Sequence, residues 1–241
     1  MTIIRTKNYD EMSRRAANIM AAQITLKNDS VLGLATGSTP VGMYQELIRR
    51  CEAGDLDFSR VRSVNLDEYV GLERTHDQSY YYFMNNNLFK HVNIDPAQTF
   101  LPDGTCKDTE AECRRYHDVI LGMGGVDIQL LGIGGNGHIG FNEPAEAFAA
   151  RTHCVQLAES TIKANARFFA SESDVPRFAL SMGIGEIMAA KKILILASGK
   201  AKAEAVKGMV AGPVSPQMPA SILQFHPDVT LVADEEALSL L

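Results

Sequence analysis

A chain of 241 residues, 46% hydrophobic and 22% charged, has room for a sizeable core and the balance of a globular enzyme or binding domain, which excludes disordered and fibrous classes. Its net charge of -6, with lysines and arginines scattered along the chain, excludes a large phosphate-backbone footprint, so no nucleic-acid partner is expected. No run approaches the ~18 apolar residues of a membrane span and "MTIIRTKNYDEM" is no leader, while Cys51, Cys106, Cys113 and Cys154 form neither C-x-x-C nor metal spacing; reduced thiols, a cytoplasmic location and no membrane partner are expected.

The first helical pattern covers about 10–27 and leads to a β-rich stretch at 31–35. The loop after it reads "ATGSTP". Gly37 frees the backbone for a tight turn, and Ser38 and Thr39 offer hydroxyls before Pro40, which suits the start of a helix over 40–53. Two readings stay open: Thr39 as an ordinary helix cap, or Gly37, Ser38 and Thr39 as an anion cradle of free N–H groups and hydroxyls. The P-loop pattern G-x-x-x-x-G-K-[ST] is absent.

A strand at 61–66 ends in "NLDEY", placing Asp67 and Glu68 at its terminus. An acid there can act as a general base or merely cap the next turn, and taken alone the turn role is the commoner. Burial in a crevice would raise such a base toward neutrality, as proton abstraction next to a carbonyl requires. The helical pattern at 79–91 contains the aromatic "SYYYFMNNNLF", whose spacing suits packing, and no site role is given to it. Another helix is expected over 108–122.

The strand at 126–132 runs into "GIGGNGHIGFNEP". Gly132, Gly134 and Gly137 satisfy G-x-G-x-x-G, the letters of a dinucleotide fingerprint. Such a turn should open directly into a helix, yet Gly140 and Pro144 interrupt the residues beyond it. The better reading is a loop whose backbone approaches a ligand while Asn136, His138 and Glu143 face it. His138 and Glu143 could then pair, the carboxylate orienting the imidazole. A lone histidine more often satisfies loop backbone groups, but this setting among glycines at a strand end favours a site.

Strands near 152–157, 177–182, 192–197 and 228–233 and helices near 159–170 and 200–210 complete the pattern. Arg167 in "NARFFA" and Lys202 in "SGKAKA", with Lys200 as its competitor, are candidate cations for a phosphate. Strand–helix alternation, no internal repeat and no linker predict one α/β domain over 1–241: a doubly wound, mostly parallel sheet with helices on both faces, Rossmann-like. "VDIQLLGI" and "ILILA" are the unbroken apolar runs that a sheet buried on both faces requires. Ligands bind beyond the carboxyl ends of such strands, where "ATGSTP", "NLDEY", "GIGGNGHIGFNEP" and "ASGKAK" all fall.

"LGLATGSTP", "NLDEYVGL", "GIGGNGHIGFNEP", "RFF" and "PASILQFHPDVTLVADEEA" together resemble the glucosamine-6-phosphate deaminase family, from near residue 1 to near 237. The resemblance implies conversion of D-glucosamine 6-phosphate and water into D-fructose 6-phosphate and ammonia, with no metal or organic cofactor. It implies Asp67 as the proton acceptor and donor between C1 and C2, and His138, helped by Glu143 and Asn136, as the group that opens the pyranose ring. Gly37, Ser38 and Thr39, with Arg167 and Lys202, would hold the phosphate.

Some members carry Asp at the position of Asn136; a neutral residue favours an orienting role over charge relay. Long members activated by N-acetylglucosamine 6-phosphate carry Ser, Arg and Lys where this chain has Glu146, His153 and Val155, and they extend further at the C-terminus. An unregulated, monomeric enzyme acting on a small sugar phosphate is therefore expected. The rivals are 6-phosphogluconolactonase, whose loop resembles "DGHxASLFP", and a sugar-phosphate-sensing domain, which would need no acid–base set.

Overall fold

The computed structural model describes residues 1–166, 169 and 171–241. Ten strands and seven α-helices are found among them. The strands are β1 (Thr2–Thr6), β2 (Val31–Leu34), β3 (Arg62–Asn65), β4 (Asp67–Tyr69), β5 (Thr99–Phe100), β6 (Ile128–Leu131), β7 (His153–Gln156), β8 (Phe178–Ser181), β9 (Ile193–Ala197) and β10 (Val229–Asp234). The helices are α1 (Tyr9–Leu26), α2 (Val41–Glu52), α3 (Tyr80–Asn87), α4 (Thr109–Gly122), α5 (Glu159–Asn165), α6 (Ile184–Met188) and α7 (Ala203–Ala211).

Seven strands form one sheet in the order β1-β10-β9-β6-β2-β3-β5, and every pairing in it is parallel. A parallel sheet needs cover on both faces, and the sequence supplies it. All five residues of β9 and all four of β6 are buried. Met12, Ala16, Met20 and Ile24 recur at four-residue spacing along α1 and bury the helix against the rest of the core. Asn8 caps that helix by accepting from the Glu11 N–H at 3.0 Å. The expected doubly wound parallel sheet is present.

Its strand order fixes where a ligand can enter. From β2 the chain moves outward through β3 to β5, then returns to β6 on the other side of β2 before continuing to β9 and β10, which pairs with β1, the strand that opens the chain at the far edge. The order therefore reverses between β2 and β6, and their outgoing loops diverge to leave a crevice.

The strands at 152–157 and 177–182 depart from the expected parallel order. As β7 and β8 they join β4 in a separate antiparallel sheet, β4-β8-β7. The alternating exposure of His153–Gln156 suits a strand with one wet face. Leu66 links the two sheets: its N–H donates to Leu34 O of β2 (3.1 Å), and its carbonyl accepts from Met182 N beyond β8 (2.7 Å). Asp67 is thus the first residue of the second sheet. Tyr69, Phe141, Leu157, Ile162, Val175 and Ala179 form a small core against it.

All four cysteines are free, as expected from their spacing. No helix among the described residues is long and apolar enough to cross a membrane.

Candidate active site

The loops after β2 and β6 and the first residue of β4 enclose a crevice of about 460 Å3, joined by Lys202 from the loop after β9. That volume suits a hexose phosphate. A wider cleft of about 580 Å3, lined by Cys113, His117, His153 and Cys154, shares no lining residue with the crevice. The crevice brings together Gly37, Ser38, Thr39, Asp67, Asn136, His138 and Lys202, and Glu143 stands behind the imidazole. Arg167 lies outside the described residues.

After β2 the chain turns at Gly37, whose φ of 90° falls in the left-handed region that glycine tolerates. The Thr39 cap is not formed: α2 begins at Val41, Pro40 takes the cap position, and no side chain caps the helix. Pro40 has no side-chain acceptor to offer the first turn, and Thr39 stands one residue before the cap position. The N–H groups of Gly37, Ser38 and Thr39 donate to no described residue, so three donors at a helix N-terminus stay available to an anion. Tyr9 on α1 stiffens the loop, its hydroxyl donating to Ser38 O (3.0 Å) and accepting from Gly42 N (2.9 Å).

On the opposite rim, Lys202 follows the turn at Gly199. Asp234, at the end of β10, fixes that turn by accepting from Ser198 Oγ at 2.5 Å and from Gly199 N at 3.0 Å. Lys202 is half-buried with no acidic partner among the described residues, and loss of solvent lowers its pKa. Lys200 is exposed and lies outside the crevice lining, so of the two lysines only Lys202 borders the crevice.

The two acids of "NLDEY" divide the roles that the sequence leaves open. Glu68 is the cap: it accepts from the N–H groups of Tyr69, Tyr80 and Tyr81, each at 2.9 Å, the last two at the head of α3. Asp67 points into the crevice and is only 7% exposed. Burial, reinforced by the Glu68 charge beside it, pushes its carboxyl up to about 8, and no hydrogen bond from a described residue offsets the shift. A carboxyl in that range exchanges protons readily near neutral pH.

No helix follows β6 until α5 at Glu159, so the G-x-G-x-x-G letters do not make a dinucleotide turn. The loop instead seats an imidazole on its own backbone. A Cβ on Gly134 would meet the His138 ring at 2.4–2.5 Å, so only glycine permits this approach. His138 Nδ1 lies 3.3 Å from Glu143 Oε2, off the line of a good hydrogen bond but within ion-pair reach.

Asn136 donates to the same Glu143 oxygen at 2.7 Å, and Thr161 Oγ1 donates to the other at 2.6 Å. Burial opposes the Glu143 charge. His138 and the two donors outweigh it, holding the carboxyl down to about 2. The crevice therefore holds two carboxyls biased in opposite directions, the pattern that separates acid–base roles.

Four other lining residues escape the sequence reading. Thr36, Tyr80, Phe141 and Thr161 all face the crevice. Tyr80 belongs to the aromatic stretch given no site role, and its ring stacks on Phe141 with centroids 6.1 Å apart. Tyr80 carries no local signal, because second-sheet packing brings it in, whereas Phe141 lies within the loop after β6 itself. No group of three or more His, Cys, Asp or Glu side chains among the described residues is disposed to hold a metal ion.

A family model described as glucosamine-6-phosphate isomerases/6-phosphogluconolactonase matches residues 5–232. The glucosamine-6-phosphate deaminase of Clostridium perfringens (strain 13 / Type A) is 59% identical over 241 residues, covering 100% of both chains. A solved structure of a monomeric glucosamine-6-phosphate deaminase superposes with a TM-score of 0.97 at 50% identity, again covering 100% of both. The 6-phosphogluconolactonase from Leishmania guyanensis shares the fold, with a TM-score of 0.73 and 23% identity over 98% of this chain and 97% of that one. By its motifs, its crevice and these likenesses, the chain belongs to the glucosamine-6-phosphate isomerase/6-phosphogluconolactonase family.

Proposed function

We propose that the chain is a glucosamine-6-phosphate deaminase of amino-sugar catabolism, converting D-glucosamine 6-phosphate and water into D-fructose 6-phosphate and ammonia. The observation that carries this reading is the pairing, in one crevice, of a buried carboxyl raised to about 8 with an imidazole backed by a carboxylate held near 2. Full-length likeness to proteins named for this reaction supports it.

The phosphate rests on the N–H groups and hydroxyls of Gly37, Ser38 and Thr39, with Lys202 as counter-charge; Arg167 is assigned to the same role by its motif alone. His138, oriented through Nδ1 by Glu143 with Asn136 holding that carboxylate, moves the proton between the anomeric hydroxyl and the ring oxygen as the ring opens. Ionised Asp67 then takes the C2 proton, the aldehyde oxygen gains a proton, and an enolamine forms. Asp67 returns its proton to C1, leaving an imine at C2. Water adds to that carbon and ammonia leaves, giving the ketose. No step is assigned to a metal or an organic cofactor. The enzyme acts as a monomer in the cytoplasm, a reading supported by the monomeric relative and four unbridged thiols.

Incubation with glucosamine 6-phosphate is expected to release ammonia and fructose 6-phosphate in equal amounts. Hydrolysis of 6-phosphogluconolactone with neither of those products would overturn the reading.

Lys202→Ala removes a charged contact worth ~1.5–3 kcal/mol. KM is expected to rise about 10–100-fold with kcat nearly intact, read from initial rates. Gly134→Ala drives the imidazole out of its seat while leaving the core untouched. It is expected to fold with a near-normal melting temperature and to lose at least ~10-fold in kcat.

A further inference from the structure

The backbone of Met182, just past β8, is gripped from two sides. Its N–H donates to Leu66 O at 2.7 Å, and its carbonyl accepts from Asn142 Nδ2 at 2.9 Å. Leu66 immediately precedes Asp67, and Asn142 immediately precedes Glu143. One residue of backbone thus stands between the strand that carries the base and the loop that carries His138 and Glu143.

Asn142 serves this junction with both amide hydrogens. Its second bond runs to Ile139 O at 3.0 Å, the carbonyl that also accepts from the Asn142 N–H at 3.2 Å, so the side chain braces the turn that follows His138. Two carbonyl acceptors fix which end of the amide is nitrogen. Its Oδ1 is then left buried, with no hydrogen-bond partner among the described residues. A buried acceptor left unpaired is costly to a fold, and the side chain lines no part of the crevice. Its use is the pair of donors.

A second tie runs beside the first. Ser181 Oγ accepts from Phe141 N at 3.1 Å, and Ser181 is the residue that β8 sets opposite Asp67. Both ties and the base converge on Gly140, where a Cβ would lie 3.2 Å from Ser181 Oγ, 3.5 Å from Asn142 Nδ2 and 3.7 Å from Asp67 Oδ2. The chemistry requires such a meeting point. Ring opening acts on the anomeric hydroxyl and the ring oxygen, deprotonation on the neighbouring carbon C2, so the imidazole and the base have to be held in one frame.

We propose that Asn142 is a positioning residue: by bonding Ile139 O and Met182 O it fixes the His138–Glu143 loop against the strand of Asp67, so that ring opening and C2 deprotonation act on one bound sugar. The proposal rests on the deaminase assignment, with His138 in ring opening. Without the tie the loop loses its register, while Asp67 keeps its place through the pairing of β4 with β8 and through Leu66. The phosphate cradle and Lys202 take no part in it.

The test compares wild type, Asn142→Leu, His138→Gln and the double variant, using kcat and KM for glucosamine 6-phosphate and inhibition by inorganic phosphate. Asn142→Leu keeps the branched shape and removes both donors. It is expected to lower kcat by ~10-fold or more, with KM and the phosphate inhibition constant within about threefold. The double variant is expected to be little slower than His138→Gln alone, since an absent imidazole has no placement left to lose.

An unchanged kcat in Asn142→Leu would overturn the proposal. Losses that multiply in the double variant would also do so, marking a general loosening of the fold, as would a KM that rises in step with the fall in kcat. Should Asn142→Leu fail to fold, Ser181→Ala removes the parallel tie to Phe141 N and is judged by the same criteria, with an expected kcat loss of ~3-fold or more. A wild-type protein that releases no ammonia would overturn the deaminase assignment and this inference together, whereas an active wild type with an unchanged Asn142→Leu overturns the inference alone.

Discussion

Asp67→Asn is expected to lose at least ~10³-fold in kcat while still binding substrate and, at pH 9, to be more stable than wild type. The first part rests on chemistry. An amide of the same shape keeps the crevice intact but neither takes the C2 proton nor returns it to C1.

The stability gain comes from the raised pKa. In the unfolded chain Asp67 titrates at an ordinary ~3.9, whereas in the fold burial and Glu68 hold it at about 8. The folded state thus binds this proton more tightly, and the stability it contributes is lost as pH rises from about 4 through about 8. Asparagine escapes that loss. Each ~1 kcal/mol recovered moves the melting temperature by ~2–4 °C in a chain of this size. Calorimetry at pH 5 and pH 9 should show a gap that widens with pH; a variant equally destabilised at both would remove the buried-charge account of the base.

His138→Gln is expected to cost ~10²–10³-fold in kcat through the ring-opening step. The pH dependence of what remains is the informative part. For wild type, kcat/KM should rise with pH through about 8 as Asp67 ionises. Glu143, held near 2, stays charged throughout and adds no limb there, its contribution to stability fading as the pH falls from the ordinary ~4.3 of the unfolded chain through about 2. The residual activity of the variant should keep the limb near 8. If that limb vanishes with the imidazole, the base that ionises there is His138, and Asp67 loses its role.

These side chains differ in how far a sequence can reveal them. β6 and β9 are legible because a strand buried on both faces must be apolar at every position, and Gly134, Asn136, His138 and Glu143 follow one of those strands directly. Asp67 is legible as an acid at a strand end. Its strand is not, because "DEY" has neither the length nor the alternation of β structure, and pairing with Ser181, Leu180 and Ala179 is what makes it one. β1 and β5 escape a sequence reading for a related reason: one is a half-exposed edge and the other has two residues. Tyr80 and Thr161 reach the crevice by long-range packing, which no local pattern encodes. The choice between cap and base at "NLDEY" requires coordinates, since Glu68 satisfies α3 and thereby leaves Asp67 free.

At the centre of the proposed mechanism one buried carboxyl carries a proton from C2 to C1. Conversion of glucosamine 6-phosphate deuterated at C2, with NMR of the fructose 6-phosphate formed, tests that transfer most directly. Asp67, nearly closed to water, should return part of that deuterium to C1 before solvent exchanges it. Product from the earliest turnovers with no deuterium at C1 would contradict the transfer and point to a base in free exchange with solvent.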